Sequence, residues 1–244
     1  MIQLFPLQPI LESMNQLYGR GVLEKTEQEY AMIAISLKGI QMIIVDDVEQ
    51  GTEAWMSLKA GKPGASSFDK IITTRGESSK TRQDYIFQLA AERIVGREVD
   101  GYTNAAMQRG TAMEPEGRAL FEFITGKELK QVGLVYRDES RRVLCSPDGL
   151  LDGAGFEQKN PIAKTHAKYL FSGKLPLDYF QQVQGSMWVC GFEMWWFMSS
   201  YPGMPPLLLE VKRDDKWIAR LAVMMDEFLD ELDNTYNAIL KKGG

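Results

Sequence analysis

Apolar residues recur three and four positions apart in several stretches of this chain, a spacing typical of one face of an α-helix. The clearest stretch is residues 78–98, where the apolar positions are Tyr85, Ile86, Leu89, Ala90 and Ile94. The same criterion predicts further helices at residues 24–40, 105–124, 177–190 and 214–241. The last of these has a candidate N-cap at Asp214 or Asp215 and glycines after its end, which are ordinary helix boundaries.

Shorter runs rich in β-branched and aromatic residues, separated by turn residues, predict strands. They lie at residues 132–136, 143–145, 155–159, 192–199 and 207–212, and the first three read as a small meander. The chain contains no internal repeat and no low-complexity linker. We therefore expect a single α/β domain at residues 46–244, preceded by an N-terminal extension of unknown role at residues 1–45.

The composition is that of a folded protein with a full core, with 244 residues of which 44% are hydrophobic. No run of about 18 apolar residues occurs, and the first residues lack the order of a signal peptide. These observations predict a cytoplasmic protein without membrane contact. The formal net charge of −5 argues against a nucleic-acid partner, because Lys and Arg dominate phosphate binding. Ions bound by carboxylates reverse the local sign, however, so the charge does not exclude DNA.

Cysteine and histidine usage removes several classes of site. Cys145 and Cys190 are too few for a disulfide framework or an iron–sulfur cluster, and we expect both to be reduced packing residues. His166 is the single histidine of the sequence, which excludes His-rich zinc sites and makes a Ser-His-Asp triad improbable. Its residue type and context favour an exposed loop position.

The run S-P-D-G-L-L-D-G-A-G-F-E-Q-K at residues 146–159 contains the parts of a metal-dependent nuclease site. Glu157 and Lys159 lie two apart in a predicted strand and therefore on one face. A turn at residues 152–155 would return the chain across one strand spacing and bring Asp148 close to Glu157. Two carboxylates and the backbone carbonyl of Gln158 are hard oxygen ligands suited to Mg²⁺, and Lys159 supplies a cation near the attacking water.

Each of these residues also has a structural interpretation. D-G and E-x-K occur in many hairpins, where the acid caps a turn and the Glu and Lys form a solvated pair. Glu114 precedes Pro115 at a helix N-terminal turn, where it either completes a two-metal site or faces solvent. Gln182 and Gln184 are two apart on a helix, so one of them faces the site while the other is exposed.

Many motifs in the same order closely resemble the phage lambda exonuclease family, the YqaJ-like viral recombinase nucleases of the PD-(D/E)XK superfamily. The resemblance spans roughly residues 47–240. Its motifs are E-Q-G-T-E-A-W at 49–55, L-K-A-G at 58–61, A-S at 65–66, L-F-E-F at 120–123, Y-R-D-E-S at 136–140, C-S-P-D-G-L at 145–150, E-x-K at 157–159 and Q-V-Q-x-S-M-W at 182–188.

The resemblance implies a restriction-endonuclease-like domain with a central mixed sheet flanked by helices. It implies a homotrimeric ring around DNA in the bacterial host cell, degrading one strand of a linear duplex from its 5′ end to mononucleotides. The remaining 3′ single strand would serve recombination by a single-strand annealing partner. Two Mg²⁺ ions, with Mn²⁺ as a substitute, are implied as cofactors.

The resemblance also assigns roles to residues. Asp148, Glu157 and the Gln158 carbonyl are implied as metal ligands, Glu114 as an aid to the second ion, and Lys159 as the residue that orients and activates the attacking water. The implied 5′-phosphate pocket consists of Lys59, Ser66, Ser146 and Gln182. Hydroxyls, an amide and a cation are able to cradle a terminal phosphate.

The chain departs from the family pattern at three places. Lys59 stands where relatives have an arginine, which replaces a bidentate fork by a point charge, and Lys62 in the neighbouring G-K-P-G-A-S is available as an additional contact. Pro115 follows Glu114 directly. Arg75 and the cluster of Lys164, His166 and Lys168 are candidate DNA contacts, and a solvated basic loop is the favoured interpretation of each. The alternatives to the exonuclease are an endonuclease of the same fold and a non-catalytic DNA-end clamp.

Overall fold

The computed structural model describes residues 41–99 and 112–243. Six α-helices lie within these ranges: α1 at Glu53–Lys59, α2 at Arg82–Val95, α3 at Glu114–Thr125, α4 at Ala163–Ser172, α5 at Phe180–Cys190 and α6 at Asp215–Gly243. The seven strands are β1 at Ile43–Val45, β2 at Leu134–Tyr136, β3 at Leu144–Cys145, β4 at Gly149–Leu151, β5 at Ala154–Lys159, β6 at Met194–Ser199 and β7 at Leu207–Lys212. Short 3₁₀ helices occupy Ala65–Lys70 and Leu177–Tyr179.

A mixed four-stranded sheet in the order β4-β5-β6-β7 forms the centre of the fold. β5 and β6 are parallel, whereas β4 with β5 and β6 with β7 are antiparallel. Parallel strands need a long crossover, and α4 and α5 provide it between β5 and β6. The expected central mixed sheet flanked by helices is therefore present.

Alternation along β5 and β6 sends neighbouring side chains to opposite faces of this sheet. Trp195 and Phe197 belong to the core beneath α5 and α6, whereas Phe156 and Trp196 pack against Phe121 of α3 on the other face. By the same alternation, Glu157 lies on the α5 face and Gln158 on the α3 face. Glu157 and Gln158, two neighbouring residues of the candidate site, therefore face different helices.

A second, antiparallel sheet contains β1, β2 and β3 in that order. The predicted meander is therefore wrong in its pairing, because β2 and β3 pair with each other while β5 belongs to the central sheet. The turn before β5 is also shorter than predicted. It contains Asp152 and Gly153, and Gly153 has a positive φ of 71° that suits glycine. β1 falls in residues 1–45 yet pairs with β2, so the last residues of the predicted extension belong to the folded domain.

The helix predictions agree with the structure where it describes them. The predicted helix at 78–98 corresponds to α2, which packs on α6 through Tyr85 and Phe228 with ring centroids 5.6 Å apart. Asp214 rather than Asp215 caps α6, because its Oδ1 accepts a hydrogen bond from the backbone N–H of Trp217 at 3.0 Å. The predicted helix at 24–40 and the first part of that at 105–124 lie outside the described residues.

The prediction that His166 is exposed and lies in a loop is wrong. It lies in α4 and is fully buried, with Nδ1 2.8 Å from Ser199 Oγ and Nε2 2.9 Å from the Pro205 carbonyl oxygen. Since a carbonyl only accepts, Nε2 is the donor in the second contact. Lys164 and Lys168 are exposed, as expected, but they lie in the same helix and not in the predicted loop.

Cys145 and Cys190 are buried free thiols with Sγ atoms 3.6 Å apart, in agreement with their prediction as packing residues. None of the helices described here combines the length and the apolar content needed to cross a lipid bilayer.

Candidate active site

The β4–β5 hairpin brings Asp148 to the strand that carries Glu157 and Lys159. The backbone N–H of Gln158 donates to Asp148 Oδ2 at 2.7 Å, and the backbone N–H of Asp148 donates to the Phe156 carbonyl at 3.1 Å. In a strand, the N–H and the C=O of one residue point to the same edge. The Gln158 carbonyl therefore points to the β4 edge of β5, on the side of Asp148.

Glu157 and Lys159 share one face of β5, as their spacing predicts. Lys159 Nζ lies 2.5 Å from Glu157 Oε1, and the Gln182 side-chain amide of α5 donates to the same oxygen at 2.7 Å. Gln182 is thus the member of the Q-V-Q pair that faces the site. The expectation that the other glutamine is exposed is wrong, because Gln184 is buried and bonds the Lys212 carbonyl and the backbone N–H of Asp214.

Burial and the nearby charge of Glu157 raise the pKa of Asp148 well above its usual range, although Lys159 acts in the opposite direction. The ionised form of the Asp148 carboxylate is therefore destabilised. Two crowded carboxylates of this kind form an electrostatic environment that favours a divalent cation.

Lys159 is held in its charged form. Burial acts to lower the pKa of Lys159, but the charges of Glu157 and Asp148 outweigh it, and the pKa is raised. Its Nζ also lies 5.0 Å from the centroid of the Tyr179 ring, a cation–π contact. Sequence reasoning did not single out Tyr179, because it lies in a separate 3₁₀ helix before α5 and belongs to none of the motifs.

Glu114 begins α3, and Pro115 occupies the first helical turn, where its fixed φ and missing N–H are tolerated. Pro115 is therefore compatible with the first turn of α3. The Glu114 carboxylate lies 3.8 Å from Arg118 Nη1 of the same helix. Its backbone carbonyl accepts a hydrogen bond from the Gln158 side chain at 2.9 Å.

The donor set fits Mg²⁺ better than it fits a softer metal. Across residues 41–99 and 112–243, no three His, Cys, Asp or Glu side chains are arranged to hold a metal ion by themselves. Asp148, Glu157 and the Gln158 carbonyl nevertheless offer hard oxygens on adjacent strands, and Mg²⁺ typically takes one or two carboxylates and keeps several waters. Glu114, Asp148 and Glu157 therefore do not form a three-carboxylate group among the described residues.

One cavity of about 780 Å³ joins these residues to the residues of the expected 5′-phosphate pocket. It is lined by Glu114, Asp148, Glu157 and Lys159 and also by Lys59, Ser66, Ser146 and Gln182. All eight side chains thus line one cavity, although they range along the chain from Lys59 to Gln182. The Ser146 hydroxyl oxygen is buried and has no hydrogen-bond partner among the described residues. A ligand oxygen in the cavity would accept the hydrogen bond that this hydroxyl is able to donate.

Lys59 lies at one wall of this cavity, at the end of α1. Its Nζ is 3.7 Å from the centroid of the Trp55 ring and 3.2 Å from Glu98 Oε1. Lys62 lies in an adjoining pocket of about 480 Å³ that Lys59 and Ser66 also line. Burial lowers the pKa of Lys62, and its Nζ donates to the Leu58 carbonyl at 2.8 Å.

Gln50 is a further wall residue that sequence reasoning did not assign. Its side-chain amide donates to the carbonyls of Val132 and Pro147, at 3.0 and 2.9 Å, and it lines the cavity beside Asp148. It thereby fixes the loop that precedes Asp148. The only signal for it was its place in the motif E-Q-G-T-E-A-W.

Residues 54–193 match the sequence model of the YqaJ-like viral recombinase domain. This range of the chain includes β4, β5 and α5. No curated protein matches the chain at a significant level.

The chain is similar to solved structures of exonucleases. An alkaline exonuclease (LHK-Exo) from Laribacter hongkongensis is 31% identical, with a TM-score of 0.71 over 79% of this chain and 98% of that one. A structure of the same exonuclease in complex with dAMP gives the same values. A phage related exonuclease from Haemophilus somnus 129PT is 16% identical, with a TM-score of 0.56 over 75% and 96% of the two chains, and this likeness concerns the fold alone. The predicted PD-(D/E)XK fold is confirmed.

Proposed function

Because this chain belongs to the YqaJ-like viral recombinase family, we propose that it is a Mg²⁺-dependent exonuclease that degrades one strand of linear double-stranded DNA. It acts from the 5′ end, releases mononucleotides and leaves a 3′ single strand for recombination by annealing. The observation that carries this proposal is the single cavity that joins Asp148, Glu157 and Lys159 to a set of phosphate-binding side chains. An exonuclease is also what the name of the 31% identical structure describes.

Asp148, Glu157 and the Gln158 carbonyl hold the metal in this account, and Glu114 assists a second ion. Bound there, Mg²⁺ would lower the pKa of a water and neutralise charge on the scissile phosphate. Lys159 is charged while paired with Glu157, so we assign it the tasks of placing the attacking water and balancing charge on the phosphate. Its proton becomes easier to lose once cations neutralise Glu157 and Asp148.

The 5′-phosphate of the strand being cut is bound by Lys59, Ser66, Ser146 and Gln182. Three observations support this assignment: their common cavity, the buried Ser146 hydroxyl without a partner among the described residues, and the position of Gln182 beside Glu157. A phosphate held at one end of the cavity would set the scissile bond at a fixed distance from the carboxylates. End binding of this kind gives mononucleotide steps without reading the sequence.

A homotrimeric ring around DNA, a single-strand annealing partner and action in the cytoplasm of a bacterial host belong to the same proposal. They are supported by the family alone. Enclosure of the duplex would give processive degradation without sequence-specific contacts.

The proposal is tested by incubating linear and circular duplexes with the protein in Mg²⁺ and in EDTA, beside two variants. Lys159→Met should lower the rate by about 10²–10³-fold, since it removes a charge that acts on the developing phosphate charge. Lys168→Met, an exposed lysine of α4, is the matched control and should cut at the wild-type rate.

The outcomes separate the candidate functions. We expect digestion of the linear duplex in Mg²⁺ and none of the circle. Nicking of the circle would indicate the endonuclease, and tight binding of ends with no cleavage in Mg²⁺ or Mn²⁺ would indicate the DNA-end clamp. Wild-type activity of Lys159→Met would contradict the role of Lys159.

A further inference from the structure

Gln158 is a buried polar residue at the centre of the site, and the proposed function uses its backbone carbonyl but not its side chain. It is 4% exposed and lies on the α3 face of β5, away from Glu157 and Lys159. Its Nε2 donates to the backbone carbonyl of Glu114 at 2.9 Å. A carbonyl accepts two hydrogen bonds, so this contact leaves the Glu114 carbonyl able to accept a hydrogen bond within α3 as well.

Gly117 provides the space for this contact. A Cβ at Gly117 would stand 1.8 Å from Gln158 Oε1 and 2.9 Å from Cδ, so no other residue fits opposite the amide. Glycine weakens a helix interior, and Gly117 is buried in the second turn of α3. The amide of Gln158 is thus seated in a notch of the helix, with Oε1 against the Gly117 backbone and without a hydrogen-bond donor among the described residues.

The main chain of Gln158 contacts the other side of the site. Its N–H donates to Asp148 Oδ2 at 2.7 Å, and its carbonyl points to the same edge. One residue therefore contacts Asp148 through its backbone and Glu114 through its side chain. These two carboxylates come from different elements.

The middle of α3 is held independently of Gln158. Phe121 packs on Phe156 and Trp196, with ring centroids 4.6 and 5.4 Å away. Loss of the Gln158 amide would leave this packing in place and release only the first turn of α3. That turn carries Glu114.

We propose that the Gln158 side chain is a positioning residue that fixes Glu114 relative to Asp148 and so sets the divalent-cation affinity of the site. The inference rests on the proposed function in that the site binds a divalent cation. It extends that function, because the family assignment uses only the backbone carbonyl of Gln158. Groups that orient metal ligands typically contribute 10–100-fold to metal affinity.

The test measures Mn²⁺ binding by the full-length protein without DNA, by EPR titration, and thermal stability in EDTA. Gln158→Met keeps the volume and removes the amide, and we expect at least tenfold weaker Mn²⁺ binding with the fold retained. Gln184→Met is the matched control, because Gln184 is equally buried but bonds Lys212 and Asp214 away from Glu114. It should lose stability and keep Mn²⁺ affinity.

A compensating pair separates packing from positioning. Gly117→Ala alone should lower the melting temperature, because its Cβ collides with the amide. Gln158→Ala together with Gly117→Ala removes the collision, so stability should recover while Mn²⁺ binding stays weak. The pair also gives a folded variant if Gln158→Met folds poorly.

Wild-type Mn²⁺ affinity in Gln158→Met or in the pair would overturn the inference and leave the nuclease proposal intact. A wild-type protein that binds no Mn²⁺ and cuts no DNA would overturn both. Weak binding in these variants, with normal binding in Gln184→Met, would support the inference.

Discussion

At the scale of single residues, Lys59 is the position of the expected phosphate pocket at which the family resemblance implies an arginine. A lysine offers a point charge in place of a guanidinium fork, and here that charge already contacts Glu98 and the Trp55 ring. A phosphate that binds Lys59 has to compete with the Glu98 carboxylate. The strength of 5′-phosphate preference therefore depends on both residues.

Substitutions at these two residues should act in opposite directions. Lys59→Ala should slow cleavage of 5′-phosphorylated ends more than that of 5′-hydroxyl ends. Glu98→Gln should favour phosphorylated ends by a few-fold at most, since partly exposed ion pairs contribute about 0.2–1 kcal/mol. Initial rates on matched duplexes with either end test this. An equal loss on both ends in Lys59→Ala would rule out the phosphate pocket.

Asp148 provides a prediction about stability and pH. Because its pKa is raised in the folded protein, the folded state keeps a proton that the unfolded chain loses near pH 4. The free energy of unfolding should therefore fall as the pH rises from that value through the raised pKa of Asp148.

Asp148→Asn should remove that fall and be more stable than wild type in EDTA at neutral pH. Mg²⁺ should stabilise the wild type and have little effect on the variant. Urea unfolding at acidic and neutral pH, with and without Mg²⁺, measures all of these. A variant that is less stable than wild type in EDTA at neutral pH would contradict the electrostatic account of the site.

At the scale of elements, the sequence predicted the strand that carries Glu157 and Lys159, because period-two alternation is a local property. It also placed Glu114 at a helix N-terminal turn, although the predicted helix extended back to residue 105. It did not predict that β2 and β3 pair away from β5, since strand partners depend on contacts between distant segments. The burial of His166 was missed for the same reason: Ser199 and Pro205 are far along the chain.

The site could be predicted in part for similar reasons. Seven of the eight candidate side chains came from motifs, and Glu114 came from its place at a predicted helix N-terminal turn. All eight line one cavity. Tyr179, Gln50 and the side chain of Gln158 were not assigned, because each acts through a neighbour that only the folded chain brings close. Alternation alone places Gln158 opposite Glu157, but it does not show that α3 carries a glycine there.

Substitution of Gly155 tests the packing of β5 against Trp195 of β6. A Cβ at this position would lie 2.2–2.4 Å from three atoms of the Trp195 ring, so Gly155→Ala should destabilise the protein by about 1–3 kcal/mol. It should also reduce cleavage, because β5 carries Glu157 and Lys159. Gly243→Ala is the control, since nothing lies within 4 Å of its added Cβ. Equal melting temperatures of the two variants would contradict this account of the β5–β6 packing.

At the scale of the whole molecule, side chains from three helices and from the central mixed sheet line one cavity. α1 contributes Lys59, α3 contributes Glu114, α5 contributes Gln182, and the β4–β5 hairpin contributes Asp148 and Glu157. The chain carries a formal net charge of −5, yet its cationic Lys59 and Lys159 line the same cavity. An acidic protein is therefore able to present a phosphate site, and divalent cations would strengthen it further.

The most direct test of the central claim is the polarity of degradation. A linear duplex labelled on one strand, at either its 5′ or its 3′ end, is digested in Mg²⁺ and sampled over time. The account predicts immediate release of the 5′ label as a mononucleotide, with the 3′ label retained in long single strands. Early release of the 3′ label, or of both labels in longer fragments, would contradict a cavity built to hold a 5′-phosphate beside the metal ligands.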